Sequence, residues 1–275
     1  MVLSLGLPLD QRGVSPRRPP MSPASKENAN PVRNASPAGF VLSSNLRGAE
    51  LPASTQLKNV EEMEKSVAGF NEFVAAAEVG DVRKVRDLLR RGADINKPDG
   101  DGWTALIAAA AEGHLEVIKM LLVHSDVDVN LANKDNESAL MRAVLAGHAQ
   151  VATALLSAPG IEVNAKTSAG KSALIIAAGC GQAAIASALL VADDIEVNAT
   201  DGDGKTALIR ACEAGHAEIA LSLLVTDGVE IDLADAAGKT AKMHALARGH
   251  ERIVGLIEEM QKEDALAPVA TQLTF

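Results

Sequence analysis

Aromatic residues are rare in this 275-residue chain, which contains one Trp, four Phe and no Tyr. A core of this size would ordinarily bury several rings, so the scarcity predicts a core of small aliphatic side chains. Two cysteines are too few for a disulfide framework and indicate a reducing compartment. No apolar run reaches the ~18–20 residues that span a bilayer, and the start lacks the basic flank of a secretory signal. A soluble protein of the cytoplasm or nucleus, with no membrane association, is therefore expected.

Charge is distributed unevenly along the chain. Residues 1–49 have a net charge of +4 and the whole chain has −10, so the remainder carries −14. Eight of the eleven prolines also fall within residues 1–52. This composition predicts a disordered basic tail over residues 1–55, an acidic folded domain over 56–262 and a flexible tail over 263–275. The acidic domain disfavours nucleic acid as a partner, because phosphate is bound through Lys and Arg.

A period of 34 residues runs through the acidic part of the chain. Glycines recur at this interval, and so do Leu-Leu pairs and an Asn or Asp slot. Independent slots that share one period indicate stacked structural repeats. The recurring glycines are Gly113, Gly147, Gly181, Gly215 and Gly249, and the Asn or Asp residues are Asn96, Asn130, Asn164, Asn198 and Asp232.

The pattern within each repeat predicts a polar turn, a short helix, a second turn and a second helix. In the unit at 137–170, Ser138 is suited to cap the start of the first helix and Gly147 to end it. A recurring Ala, such as Ala143, predicts close approach of two helices. Ordering ~34 residues costs about 50 kcal/mol, so each unit must bury both faces against neighbours. The predicted fold is an all-α solenoid of stacked helix-turn-helix units with β-turn tips.

These repeats resemble those of the ankyrin family. Residues 204–208 (Gly-Lys-Thr-Ala-Leu), the Gly215-His216 pair, the 223–224 Leu pair and residues 230–232 occupy the places that the family consensus gives them. The family's signature Pro is Ala in each unit from the second onward, and its signature His is Ile or Met. The units fall at about 69–97, 103–136, 137–170, 171–204, 205–238 and 239–262.

The resemblance implies that the chain binds another protein through a concave face, formed by the turn tips and the first helix of each unit. Trp103 is the best candidate anchor, because exposed Trp dominates binding hot spots. Lys171, Lys205 and Lys239, at one slot of successive units, would form a basic ladder for an acidic partner segment. A monomeric adaptor or scaffold is expected. The predicted partner-binding residues are Trp103, Glu112, Asp135, Glu137, Leu145, Lys171, Lys205 and Glu213.

Motifs that suggest enzymatic or metal chemistry fall at slots set by the repeat. Two P-loop-like stretches, 165–172 and 199–206, are repeat turns without the buried strand that a phosphate-binding loop follows. The Asp-Gly-Asp-Gly stretch at 99–102 lacks the closing Glu of a calcium hand. Cys180 and Cys212 are expected to be buried small hydrophobes, not nucleophiles. The prediction is a protein that is not an enzyme and has no cofactor or metal.

Short motifs in the tail suggest regulation. Three serines precede a proline, and two arginines follow one of these pairs, as at sites of proline-directed, cyclin-dependent kinases. A Lys-Glu-Asn triplet resembles a KEN-type degron read by the anaphase-promoting ubiquitin ligase. The alternatives to a simple adaptor are a cell-cycle-regulated protein or, because the tail is rich in Arg and Ser, an organelle-targeted scaffold. The candidate phosphorylation sites are Ser15, Ser22 and Ser36, and the candidate degron is Lys26, Glu27 and Asn28.

Overall fold

The computed structural model describes residues 71–272, with the side chains of residues 71–262. This part of the chain consists of twelve α-helices without an extended strand, which confirms the all-α prediction. The helices are α1 (Glu72–Glu78), α2 (Val82–Arg90), α3 (Ala105–Glu112), α4 (Leu115–Leu122), α5 (Ala139–Ala146), α6 (Ala149–Leu156), α7 (Ala173–Cys180), α8 (Ala183–Leu190), α9 (Ala207–Ala214), α10 (Ala217–Leu224), α11 (Ala241–Ala247) and α12 (Glu251–Gln272).

Odd-numbered and even-numbered helices alternate as the first and second helix of each unit. First helices pack on the first helices of neighbouring units, and second helices pack on second helices. This two-layer stack is the predicted solenoid. The backbone of α12 continues to Gln272, past residue 262, where the sequence places the end of the repeat domain.

The first helices of the four full units begin and end at the residues that the repeat pattern predicts. In α5, the Ser138 hydroxyl accepts a hydrogen bond from the backbone N–H of Met141, and Gly147 ends the helix with φ 78°. The same arrangement recurs in α3, α7 and α9, where a Thr or Ser caps the start and a glycine with φ of 76–82° follows the end. Glycine is required at that end because the left-handed conformation is unfavourable for residues with a Cβ.

The core that holds the units together is aliphatic, as the composition predicts. The recurring first-helix alanines, such as Ala109 and Ala143, are fully buried between neighbouring first helices. Leu155, Leu189 and Leu223 are equally buried on the second helices. Among the described residues, Phe73 is the single aromatic side chain in the buried hydrophobic core.

The recurring asparagines tie each unit to the next. Asn130 donates through Nδ2 to the carbonyl of Gly160 at 2.7 Å, and its Oδ1 accepts from the backbone N–H of Glu162 at 2.9 Å. Asn96, Asn164 and Asn198 make the same two bonds, to residues 30 and 32 positions further along. The asparagine therefore recurs every 34 residues because each copy makes the same two bonds to the following unit.

The histidine after each inter-helix glycine is also a contact between units. The ring of His148 packs against Gly113 of the preceding unit, where an added Cβ would lie 2.7 Å from the ring. Its Nε2 is 3.0 Å from the carbonyl oxygen of Ala111. His114, His216 and His250 pack on glycines in the same way, and Gln182 takes this role in the fourth unit. The repeat register of these histidines therefore reflects packing.

The last unit combines polar and apolar features on its outer side. Lys242, at a slot that holds a buried Leu in the preceding units, forms an ion pair with Glu258 at 3.0 Å, as suits a solvent-facing cap. Met243 and Leu246 occupy slots that a following unit covers elsewhere in the stack, and they are 51% and 57% exposed.

Candidate functional site

The turn tips, residues 99–103, 133–137, 167–171, 201–205 and 235–239, share one hydrogen-bond pattern. In four of them an Asp or Asn side chain accepts from two backbone N–H groups of its own turn. Successive tips are also joined through their backbones, for example from the N–H of Ser168 to the carbonyl of Asp135 at 2.9 Å. The tips are thus a connected, internally fixed row, as expected of structural turns.

The C-terminal ends of the first helices reach the surface, and in α9 Glu213 contacts a turn tip through its ion pair with Lys205 at 2.7 Å. In α7, residues 173–178 are buried, whereas Gly179 and Cys180 are exposed. In α5, Leu145 is 44% exposed and Ala146 is exposed as well. We call Leu145, Ala146, Gly179 and Cys180 the helix-end strip. Because these residues occupy equivalent slots of adjacent units, they form a continuous surface of small and apolar side chains.

A cation–π contact flanks the helix-end strip at its N-terminal side. The guanidinium carbon of Arg142 lies 4.9 Å from the centre of the Trp103 ring, within the range of such interactions. Arg142 also forms an ion pair with Glu137 at 3.3 Å. Trp103 is half-buried and packs against the core, so its ring is held in place, with part of its surface open to solvent.

A larger group of ion pairs flanks the strip at its C-terminal side. We call Asp201, Asp203, Lys205, Arg210, Glu213 and Arg248 the Glu213 network. Glu213 accepts from Lys205 Nζ at 2.7 Å and lies 3.2 Å from Arg248 of the last unit. Arg210 donates through Nε to the buried Asp201 carboxylate at 2.8 Å and pairs with Asp203 at 2.8 Å. Burial acts to raise the pKa of Glu213, but the hydrogen bond and charge of Lys205 outweigh it and lower that pKa.

A buried pair continues this arrangement into the last unit. Nε2 of His244 is 2.8 Å from Oδ2 of Asp235, and both side chains are at most 10% exposed. The backbone N–H of Lys239 and the His244 ring lower the pKa of Asp235 to about 2. Asp235 is therefore a charged acceptor that fixes its turn and the neighbouring first helix.

The structure distributes the predicted partner-binding residues between two environments. Glu112, Asp135 and Leu145 are exposed. Trp103, Glu137, Lys171, Lys205 and Glu213 are partly buried. Lys205 is 14% exposed and already neutralised by Glu213, so an acidic partner would have to displace that pair to use it. The basic ladder of Lys171, Lys205 and Lys239 stays a prediction, and Lys239 is exposed.

The prediction that both cysteines are buried is wrong for Cys180. Cys180 is the last residue of α7, at a slot that faces solvent in several units, and it belongs to the helix-end strip. Cys212 lies two residues earlier in its unit and is buried, which raises the pKa of its thiol to about 12. Among the described residues, no group of three or more His, Cys, Asp or Glu side chains is arranged to hold a metal ion.

Sequence reasoning missed Arg142 and Arg210, which organise the charged groups on either side of the strip. Both occupy one first-helix slot, whose other members are Ala108, Ile176 and His244. Polar residues at a slot that holds Ala108 and Ile176 in other units are a signal that the sequence contains. Their partners Glu137 and Asp201 lie five and nine residues earlier, in the turn, so helical spacing does not reveal the pairs.

The tail motifs, with Ser15, Ser22, Ser36, Lys26, Glu27 and Asn28, lie outside the described residues, and their roles stay predictions. Within residues 71–272, none of the helices combines the length and apolar character required to cross a bilayer.

Comparison with known proteins identifies the same family that the repeats resemble. The family model for ankyrin repeats in three copies matches residues 73–167 and 174–264. A crystal structure of an ankyrin repeat domain from Acinetobacter baumannii AYE aligns with a TM-score of 0.64 and 27% identity, over 69% of this chain and 97% of that chain. The ankyrin repeat protein EF0377 aligns with a TM-score of 0.63 and 26% identity, over 68% of this chain and 96% of that chain. On the strength of the family match, the chain belongs to the ankyrin repeat family.

Proposed function

We propose that this protein is an adaptor that binds a partner protein through the face formed by its turn tips and the ends of its first helices. Ankyrin repeats are generally protein–protein interaction modules and are typically non-catalytic. The observation that carries the proposal is the helix-end strip, an exposed row of small and apolar residues on helices whose other residues are almost all buried. An apolar surface rimmed by polar groups is typical of a binding site.

The surroundings of the strip indicate the chemistry of the partner. The charges on both sides, in the Arg142–Glu137 pair and the Glu213 network, are largely neutralised within the chain. The partner is therefore expected to place apolar side chains at the centre of the contact. Charges of one sign on the partner would contribute less to binding. Trp103 and Leu145 would supply larger anchors at one end, and Gly179 would allow close approach of a partner backbone.

A substitution of Gly179 tests this proposal without disturbing the core. Apart from its chain neighbours and the backbone of its own helix, no atom lies within 4 Å of the place where a Cβ at Gly179 would stand, so Gly179→Glu adds a charged side chain to the strip without displacing the core. We expect full-length Gly179→Glu to lose its partner in affinity capture from cells, because the added side chain would block close approach of the partner and place a charge in the apolar strip. The measurement is quantitative comparison of proteins captured by wild type and variant.

Gly255→Glu is the matched control, since Gly255 is also helical and equally open but lies on α12 among the second helices. Circular dichroism should show equal folding of both variants. A protein that wild type and Gly255→Glu retain, and that Gly179→Glu loses, would support the proposal. Capture of the same proteins by all three baits would contradict it.

The tail motifs support a regulatory element in this proposal. If residues 26–28 act as a degron, changing Lys26, Glu27 and Asn28 together to Ala should lengthen the half-life of the full-length protein in dividing cells several-fold. A cycloheximide chase measures this. A matched triple change of Gln56, Lys58 and Asn59 to Ala should leave turnover unchanged, and equal half-lives for both variants and wild type would refute the degron.

A further inference from the structure

The second helix of the first unit differs in charge from the other second helices. Residues 82–91, which cover α2 and its C-terminal cap, have a net charge of +4, whereas residues 71–262 as a whole have −10. The corresponding helices α6 and α8 contain no charged residue. Neither the aliphatic core nor the repeat register requires this concentration of cations on one helix.

An open groove of about 570 Å³ lies between α2 and α4. Its apolar lining includes Val82, Leu89 and Met120, which are only partly buried against the core. Val123, at the C-terminal cap of α4, is 85% exposed at its edge. The groove belongs to the second-helix layer and is thus separate from the turn tips and the helix-end strip.

Among residues 71–262, two cations beside this groove have no ion-pair partner. Lys84 pairs with Glu72 at 3.0 Å, Arg91 with Asp87 at 2.7 Å, and Lys119 with Glu116 at 3.1 Å. Within residues 71–262, Arg86 and Arg90 pair with no carboxylate, although both line the groove and are exposed. The groove therefore combines an apolar floor with unneutralised positive charge.

We propose that this groove is a second docking site, which binds an acidic amphipathic helix of another protein. The nine residues of α2 span ~13 Å, enough to contact about two turns of a bound helix. Apolar side chains at i, i+3, i+4 and i+7 would enter the groove, and flanking Glu or Asp residues would pair with Arg86 and Arg90. The acidic charge of the surrounding domain disfavours nucleic acid, whose phosphates would meet repulsion beyond α2.

The test is binding of a labelled helical peptide to the full-length protein by fluorescence anisotropy. The peptide carries Leu at i, i+3, i+4 and i+7 and Glu on both flanks, and a control peptide has Lys in place of each Glu. We expect the Glu peptide to bind, and the double variant Arg86→Glu/Arg90→Glu to weaken that binding about ten-fold or more. The matched double variant Arg252→Glu/Lys262→Glu, which changes two exposed cations on α12, should bind as wild type does.

Several results would overturn the proposal. These are no binding of the Glu peptide, equal binding of the Lys peptide, undiminished binding by Arg86→Glu/Arg90→Glu, or tighter binding of single-stranded DNA than of the Glu peptide.

The chain itself also contains an acidic segment with apolar residues at helical spacing, and a variant of this segment provides a further test. If the peptide binds only to a variant with Glu61, Glu62 and Glu64 changed to Lys, the groove is occupied by this segment and not by another protein. The acidic segment has its apolar residues at Leu57, Val60, Met63 and Val67.

Discussion

Replacing Asp201 by Ala should lower the free energy of unfolding by about 3 kcal/mol. One carboxylate oxygen of Asp201 accepts from the backbone N–H groups of Asp203 and Lys205, both at 3.0 Å. The other accepts from Arg210, and the Asp201 side chain is 1% exposed. The substitution therefore removes the acceptor that shapes the turn and the main counter-ion of a largely buried guanidinium. Urea unfolding followed by circular dichroism measures the loss.

Asp201→Asn separates the two contributions. Asn133 occupies the equivalent slot two units earlier and accepts the same two backbone bonds, so an Asn at 201 should keep the turn and lose only the charge. We expect about half the effect of Asp201→Ala. Equal losses in the two variants would show that the turn bonds contribute nothing and that the interaction with Arg210 accounts for the whole effect.

Replacing Gly113 by Ala should destabilise the protein by a similar amount, about 3 kcal/mol, through two causes. The residue has φ +78°, a conformation that costs a residue with a Cβ about 1–2 kcal/mol. The new methyl group would also stand 2.7 Å from the ring of His148, which must move and lose its contact with the carbonyl of Ala111. The loss is again measured as a change in unfolding free energy.

Two other glycines supply the matched controls for Gly113→Ala. Gly92 has φ +86° and no atom within 4 Å of an added Cβ, so Gly92→Ala should show the backbone cost alone. At Gly147 the neighbour is the flexible Gln182 side chain, so the loss of stability in Gly147→Ala should lie between the losses in Gly92→Ala and Gly113→Ala. If all three variants lose the same stability, the packing of the histidine on the glycine is energetically unimportant.

The period of the sequence predicted the layout of this fold because the architecture repeats with it. Ser138 and Gly147 delimit α5 as expected, and the buried first-helix alanines lie where the spacing placed them. The site was less accessible to prediction, since it depends on departures from the repeat. The pairing of Arg210 with Asp201 joins a helix to a turn nine residues earlier, and the exposure of Cys180 depends on where a first helix leaves the core. Both are products of tertiary packing at one position of one unit.

The asparagine bonds between units have a consequence for how such a chain can evolve. Each Asn reaches only the following unit, at fixed offsets of 30 and 32 residues, and none of these bonds skips a unit. Duplication or loss of a whole 34-residue block would therefore recreate the same bonds at the new junction. The number of units, and with it the span of surface available to a ligand, can change in whole steps while the local chemistry of every junction stays the same.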